Sequence, residues 1–244
     1  MSSEQWKKRC VDEWGLQDAP LPDSVDWKSV YESKPFSRNL LKNSSPYAVC
    51  HDSPSEVPPR RALSIPGFIE GDFSDWTTST EEIPSDMSGI PKGAVVCARP
   101  KYSWFTMEQV VDLKAEGLWD QVIDEFQPEI MIQDWYEESR LHEFIYQLHV
   151  KLLSADKTRV IAEHTVTPAE DRSVCNHKWK EVSHVFSGYG SDVRYVHFLH
   201  RLKNQYLNGF YTTASSGSSV IVRPSKPERL NNIVLSRQVH DCMP

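Results

Sequence analysis

Three short runs hold residue types that could do chemistry. Cys50-His51-Asp52 supplies a thiol, an imidazole and a carboxylate, the set used in nucleophilic catalysis, yet such groups meet through the fold and not as chain neighbours. Asp134, Glu137 and Glu138 form the densest acidic patch. Two carboxylates facing one cleft could act as acid and base in glycoside hydrolysis, but here they read as solvated loop charges at a strand end. His197 and His200 have opposite parity on a strand, so their rings would point to opposite faces and could not share a metal. Ser215 to Ser219 lacks a GxSxG elbow and reads as a hairpin turn, and no glycine-rich loop resembles a phosphate cradle. No catalytic residue, metal site or cofactor is therefore expected. Trp27, Trp104, Trp119, Trp135 and Trp179 could stack on sugars, although aromatic residues of a β-sandwich more often fill its core.

The elements that would position these groups are bounded by composition. The chain has 244 residues and a formal net charge of -7, enough length for one large β domain and the wrong sign for a phosphate backbone. Nucleic acid is thus not an expected partner. No run approaches the roughly 18 to 20 apolar residues of a membrane span, and MSSEQWKKRC has no apolar signal core. A cytoplasmic location is expected. Cys10, Cys50, Cys97, Cys175 and Cys242 are far apart, without a CxxC pair, and read as free thiols. Asn43-Ser44-Ser45 would matter as a glycosylation acceptor only in a secreted chain, and otherwise reads as a turn.

Along the chain, residues 1–26 are polar and carry a short amphipathic piece around Trp6, Cys10 and Val11, which reads as an arm. Prolines between Cys50 and Pro66 call for extended loop or edge strand, and Glu70 to Gly93 reads as short strands between long loops. Thr106 and Gln109 fit a capping box, predicting a helix from Met107 with Val110, Val111 and Leu113 on its apolar face and Gly117 at its end. A second short helix would carry Leu118, Val122, Ile123 and Phe126 before Gln127-Pro128 stops it. Beyond Pro128 the pattern alternates. Strands are expected at Phe144 to Leu153, Arg159 to Val166, Glu181 to Ser187, Val193 to Leu199, Phe210 to Thr213 and Ser218 to Val222. Many short strands without βαβ alternation favour an antiparallel sandwich. Residues 225–244 show no period and stay unassigned.

Several of these segments together resemble the F-box-associated domain. They are VYESKPFSRNLLKN (Val30 to Asn43), VDLKAEGLWDQVIDEFQPEIMIQDWY (Val111 to Tyr136), DWYEESR (Asp134 to Arg140), YQLHVKLL (Tyr146 to Leu153), WKEVSHVFSGYGSDVRYVHFLH (Trp179 to His200) and SSVIVRP (Ser218 to Pro224). The resemblance covers Trp27 to Pro224. It implies a mainly β fold, an antiparallel β-sandwich of the jelly-roll, galactose-binding-like kind with two short helices. It further implies the substrate-recognition part of an SCF-type ubiquitin ligase, engaged in ubiquitin-dependent breakdown of glycoproteins, including those discarded from the endoplasmic reticulum.

Residues 1–26 would then be a remnant of the end of an F-box, with Gln5 to Cys10 as its stub. An F-box needs roughly 45 to 50 residues to bury its own core, so a stable complex with the SCF adaptor is not expected. In glycan-binding members an aromatic residue precedes the capping box, an Asp follows the DWY strand and a Tyr-Trp-Lys run lies near the C-terminus. The matching positions here are Tyr102, Leu141, Tyr206, Leu207 and Asn208. Leu207 lacks the broad ring that stacks on a sugar and Leu141 lacks the carboxylate that accepts its hydrogen bonds, so the glycan pocket is degenerate and the expected ligand is a protein or glycoprotein. Two other readings stand beside this one. One is an immune-cell recognition receptor. The other is a carbohydrate-active enzyme, which would need a convergent carboxylate pair.

Overall fold

The computed structural model describes residues 1–44, 73–80, 104–138, 145–168, 178–203 and 215–224. Ser2 opens helix α1 (Ser3–Trp14) with a reciprocal capping box: its hydroxyl accepts from the Gln5 amide and its own amide donates to the Gln5 side chain. Gly15, at φ 66°, ends the helix in the left-handed region. The amphipathic piece around Trp6, Cys10 and Val11 is thus a full helix. Its apolar face meets α2 (Trp27–Ser33), which Asp26 caps through the amides of Lys28 and Ser29. Trp6 and Trp14 lie against Tyr31, Trp14 against Phe36, and Trp27 edge-on to Trp119 at 5.0 Å. The Trp119 indole N–H donates to the Pro20 carbonyl at 2.8 Å. Buried aromatic rings contribute large contact areas, and here they fasten the N-terminal helices to the rest of the domain.

Eight strands follow among the described residues: β1 (Thr77–Thr80), β2 (Phe105–Asp112), β3 (Glu129–Glu138), β4 (Ile145–Ser154), β5 (Val160–Val166), β6 (Lys178–Phe186), β7 (Val193–Lys203) and β8 (Ser215–Arg223). They form a five-stranded sheet, β1-β2-β7-β4-β5, and a three-stranded sheet, β6-β3-β8, with every pairing antiparallel. The fold is the expected antiparallel sandwich. Alternation places Leu148, Val150, Leu152, Val196, Phe198, Val220 and Val222 in its core without exposure, and the pleat puts their neighbours outside. Residues 37–44 close the free edge of β8: Ser37 and Leu40 donate to the Val222 and Val220 carbonyls, and the Asn39 side chain bonds Ser218 and Val220. The expected strand at Phe210 to Thr213 and the tail 225–244 lie outside the described residues.

Two segments fold otherwise than expected from the sequence. The predicted helix from Met107 is strand β2, paired to β1 on one side and β7 on the other. Met107, Val111 and Leu113 alternate inward, whereas Val110, which made the pattern look helical, is 49% exposed. Gln109 does not cap a helix; its amide spans the backbone N–H and C=O of Lys42. Ser215 to Ser219 is the first half of β8 and not a hairpin turn. Gly217, at φ 66°, lies where the β3–β8 register shifts between Gln133 and Trp135. The second short helix is present as a single π-helical turn, Val122–Phe126, with Val122, Ile123 and Phe126 buried and Gln127 ending it before Pro128.

Gly117 ends a turn that Asp112 organises by accepting from the Lys114 and Ala115 amides. It sits at φ 100°, and a Cβ there would lie 2.9 Å from the Cβ of Ser33. Gly117→Ala is therefore expected to cost about 1 to 3 kcal/mol through backbone strain and displacement of α2. Urea unfolding would detect this as a lower midpoint at unchanged slope; a wild-type midpoint would contradict it.

Candidate functional site

One end of the sandwich collects the starts of β2, β4, β6 and β8 with the ends of β1, β3 and β7. Phe105 pairs with Thr80 and Leu202, Leu202 with Tyr146, Tyr136 with Ser215, and Glu138 with Lys178. The five positions matched to the family's glycan pocket, Tyr102, Leu141, Tyr206, Leu207 and Asn208, lie outside the described residues. In the chain they belong to the segments that enter β2, join β3 to β4 and join β7 to β8. All the strand termini flanking those segments are at this end.

Just beneath that end lies a buried polar cluster spanning both sheets. Asp134 on β3 has no exposed surface and accepts from Tyr146 Oη at 2.6 Å and Ser218 Oγ at 2.8 Å. His200 Nδ1 is 2.8 Å from the same carboxylate. An ionised carboxylate can only accept, so Nδ1 carries the proton in this pairing. The indole of Trp76 stacks on His200 at 5.1 Å, and Tyr136 stacks on Tyr146 at 4.5 Å. Burial, then the neighbouring Asp134 charge, holds the Tyr146 phenol far above its ordinary range, so it remains a donor. A buried carboxylate is tolerated only when such partners replace water.

The acidic-patch reading is therefore wrong for Asp134, which is a core residue and not a solvated loop charge. The side chains of Glu137 and Glu138 lie outside the described residues. A signal for the cluster was present in the alternation. Asp134 continues the inward row Ile130-Ile132, Tyr146 begins the row Leu148-Val150, His200 ends the row Val196-Phe198, and Ser218 precedes Val220-Val222. A polar residue extending an apolar inward row must find partners in the core, and four rows do so at one level.

The cluster does not assemble a nucleophile. Ser218 and His200 both bond Asp134, whereas a catalytic serine needs the imidazole between itself and the acid. His197 faces away from His200 and pairs with Glu108 at 2.7 Å, as strand parity required. No group of three or more metal-ligating side chains occurs among the described residues. Trp27 and Trp119 are buried. Trp104 is half-buried under the Arg201 guanidinium at 4.4 Å, and Trp135 packs over Gly217. The Trp179 side chain and the run Cys50-His51-Asp52 lie outside the described residues. Burial pushes the Cys10 thiol up to about 11, so it stays protonated and inert. No helix among the described residues is long and apolar enough to cross a membrane.

Fold and site thus define a two-sheet antiparallel sandwich with its loop termini gathered over a rigid polar floor. The chain belongs to the F-box associated region family, whose model matches residues 31–222. It is 56% identical over 230 residues to F-box only protein 50 of Danio rerio, covering 91% of this chain and 97% of that protein. Human F-box only protein 50 is 37% identical, with 87% of this chain and 72% of the relative covered. Human F-box only protein 44 is 31% identical, with 91% and 82% covered. Among solved structures, TmCBM61 in complex with β-1,4-galactotriose is similar at a TM-score of 0.34 and 13% identity, covering 76% of this chain and 98% of that one.

Proposed function

We propose that the chain is a non-enzymatic recognition module of the kind that selects substrates for SCF-type ubiquitin ligases, and that it takes a protein or glycoprotein ligand in the cytosol. The observation that supports this reading most is the family match across residues 31–222, which spans both sheets and every segment at the loop end. Loops on a rigid scaffold are the usual place for recognition, and the cluster around Asp134 supplies the rigidity. Tyr102 and Tyr206 keep aromatic contact surface, while Leu141, Leu207 and Asn208 replace the carboxylate, ring and ammonium that would hold an N-glycan. The ligand is then read through its polypeptide more than its sugar. ER-associated glycoprotein disposal remains the family role this reading carries over.

Affinity purification of the tagged chain from cytosol, beside the Tyr102→Ala/Tyr206→Ala double variant, tests the proposal. A defined partner held by the wild type and lost from the variant, with the variant's melting temperature unchanged, is the expected result. Turnover of a substrate by the purified chain would contradict it. α1 turns Trp6, Cys10 and Trp14 toward the domain and leaves Glu4, Lys8, Asp12 and Glu13 outward. The face it turns outward is therefore mainly charged, a poor match for an apolar adaptor groove. Mixing the purified chain with that adaptor should give no complex dependent on α1; one abolished by charge reversal at Lys8 and Asp12 would refute this part.

A further inference from the structure

His164 of β5 and His184 of β6 lie face to face, with ring centroids 4.0 Å apart and planes 4° from parallel. The two strands belong to different sheets, and among the described residues each is the outermost strand of its sheet. Their stack therefore closes one open side of the sandwich. Register turns both rings inward: His164 is opposite the buried Val150 and His184 opposite the buried Ile132. Phe186 packs edge-on against His184 at 4.6 Å. Neither imidazole makes a hydrogen bond or an ion pair among the described residues.

Among the described residues, the inward neighbours of the two rings are mainly apolar. Inward neighbours are Ala162 and Val166 on β5, Leu148, Val150 and Leu152 on β4, Val182 and Phe186 on β6, and Ile130 and Ile132 on β3. Among the described residues, the charged or titratable groups on these inward rows are Asp134, Tyr136 and Tyr146, linked by hydrogen bonding and stacking in the polar cluster, and Lys180. Glu163 and Glu181 occupy outward positions, as do His149 and Lys151 of β4, and Glu163 is held by His149 at 2.8 Å.

We propose that the His164–His184 stack is an acid-released clasp between the two sheets. Neutral rings hold β5 against β6; two imidazoliums at this separation repel in a partly desolvated site and part the edge. Burial lowers the affinity of both rings for protons, and His164 is lowered further by His184. The unfolded chain, with histidines near 6.5, binds more protons than the folded one in mild acid. The clasp therefore contributes fully above about pH 6.5 and is lost as pH falls through the lowered values. The inference is independent of what the loop end binds.

Two measurements on the full chain test it. Imidazole titration by NMR should place both rings below 6.5. Hydrogen exchange, corrected for intrinsic rates, should show β5 and β6 losing about tenfold protection relative to β2 and β7 between about pH 7.5 and about pH 5. The His164→Phe/His184→Phe variant keeps two stacked rings that cannot titrate, and its β5 and β6 should show no such selective loss. Rings titrating at or above 6.5, an equal loss over all four strands, or an unchanged loss in the double variant would each overturn the clasp. Should that variant fail to fold, the wild-type titration decides alone.

Discussion

Asp134→Ala should lower the unfolding free energy by about 3 to 5 kcal/mol, the cost of removing one partner from a buried charged cluster. The substitution leaves Tyr146 Oη, Ser218 Oγ and His200 Nδ1 facing a void with no carboxylate acceptor, since Asp134, His200 and Ser218 have no exposed surface and Tyr146 only 2%. For a chain of this size the melting temperature should fall by about 6 to 20 °C. Ser218→Ala removes one donor and leaves the carboxylate its other two, so about 1 kcal/mol is expected. Calorimetric melting of the two variants checks both values. An Asp134→Ala chain within about 1 kcal/mol of wild type would mean that the sheets do not depend on this cluster.

The second large effect is a gain of binding. If the segments holding Tyr102, Leu141 and Tyr206 to Asn208 keep the family's arrangement, the wild type lacks one ring stack and one charge-assisted hydrogen bond to an N-glycan core. Each is worth roughly 1 to 3 kcal/mol, which together weakens binding by about one to four powers of ten. The triple change Leu141→Asp, Leu207→Trp and Asn208→Lys should therefore bring affinity for a chitobiose core into the measurable range of titration calorimetry. Tight binding of that core by the wild type would contradict the degenerate-pocket reading. A silent triple variant would show that these segments no longer share the arrangement.

The strands after Pro128 were legible in the sequence because one face of each is buried and the other wet, which writes a period of two into Tyr146 to Leu152 and Val193 to Phe198. β2 was not. Its outward Val110 fills the position a helical stripe would use, and only pairing with β1 and β7 settles the matter. Tertiary hydrogen bonding overrides a local capping signal in such cases. The polar cluster was half visible. Asp134 could be read as inward from its row, but Tyr146, His200 and Ser218 come from three other strands, and nothing in one sequence says which rows meet across the sandwich. The His164–His184 stack was hidden for the same reason, being a contact between strands that share no hydrogen bonds. The pocket positions came from family resemblance, since loops carry no period from which a site can be derived.

In the proposed function, recognition takes place at the end of the sandwich above Asp134. Hydrogen exchange of the full chain, free and with a purified partner, tests it most directly. New protection is expected near Tyr136 on β3, Tyr146 on β4, Leu202 on β7 and Ser215 on β8 and in the segments joining them, with the opposite end around Asp124 and Arg194 unchanged. Protection confined to that opposite end, or to the outer faces of the sheets, would contradict it.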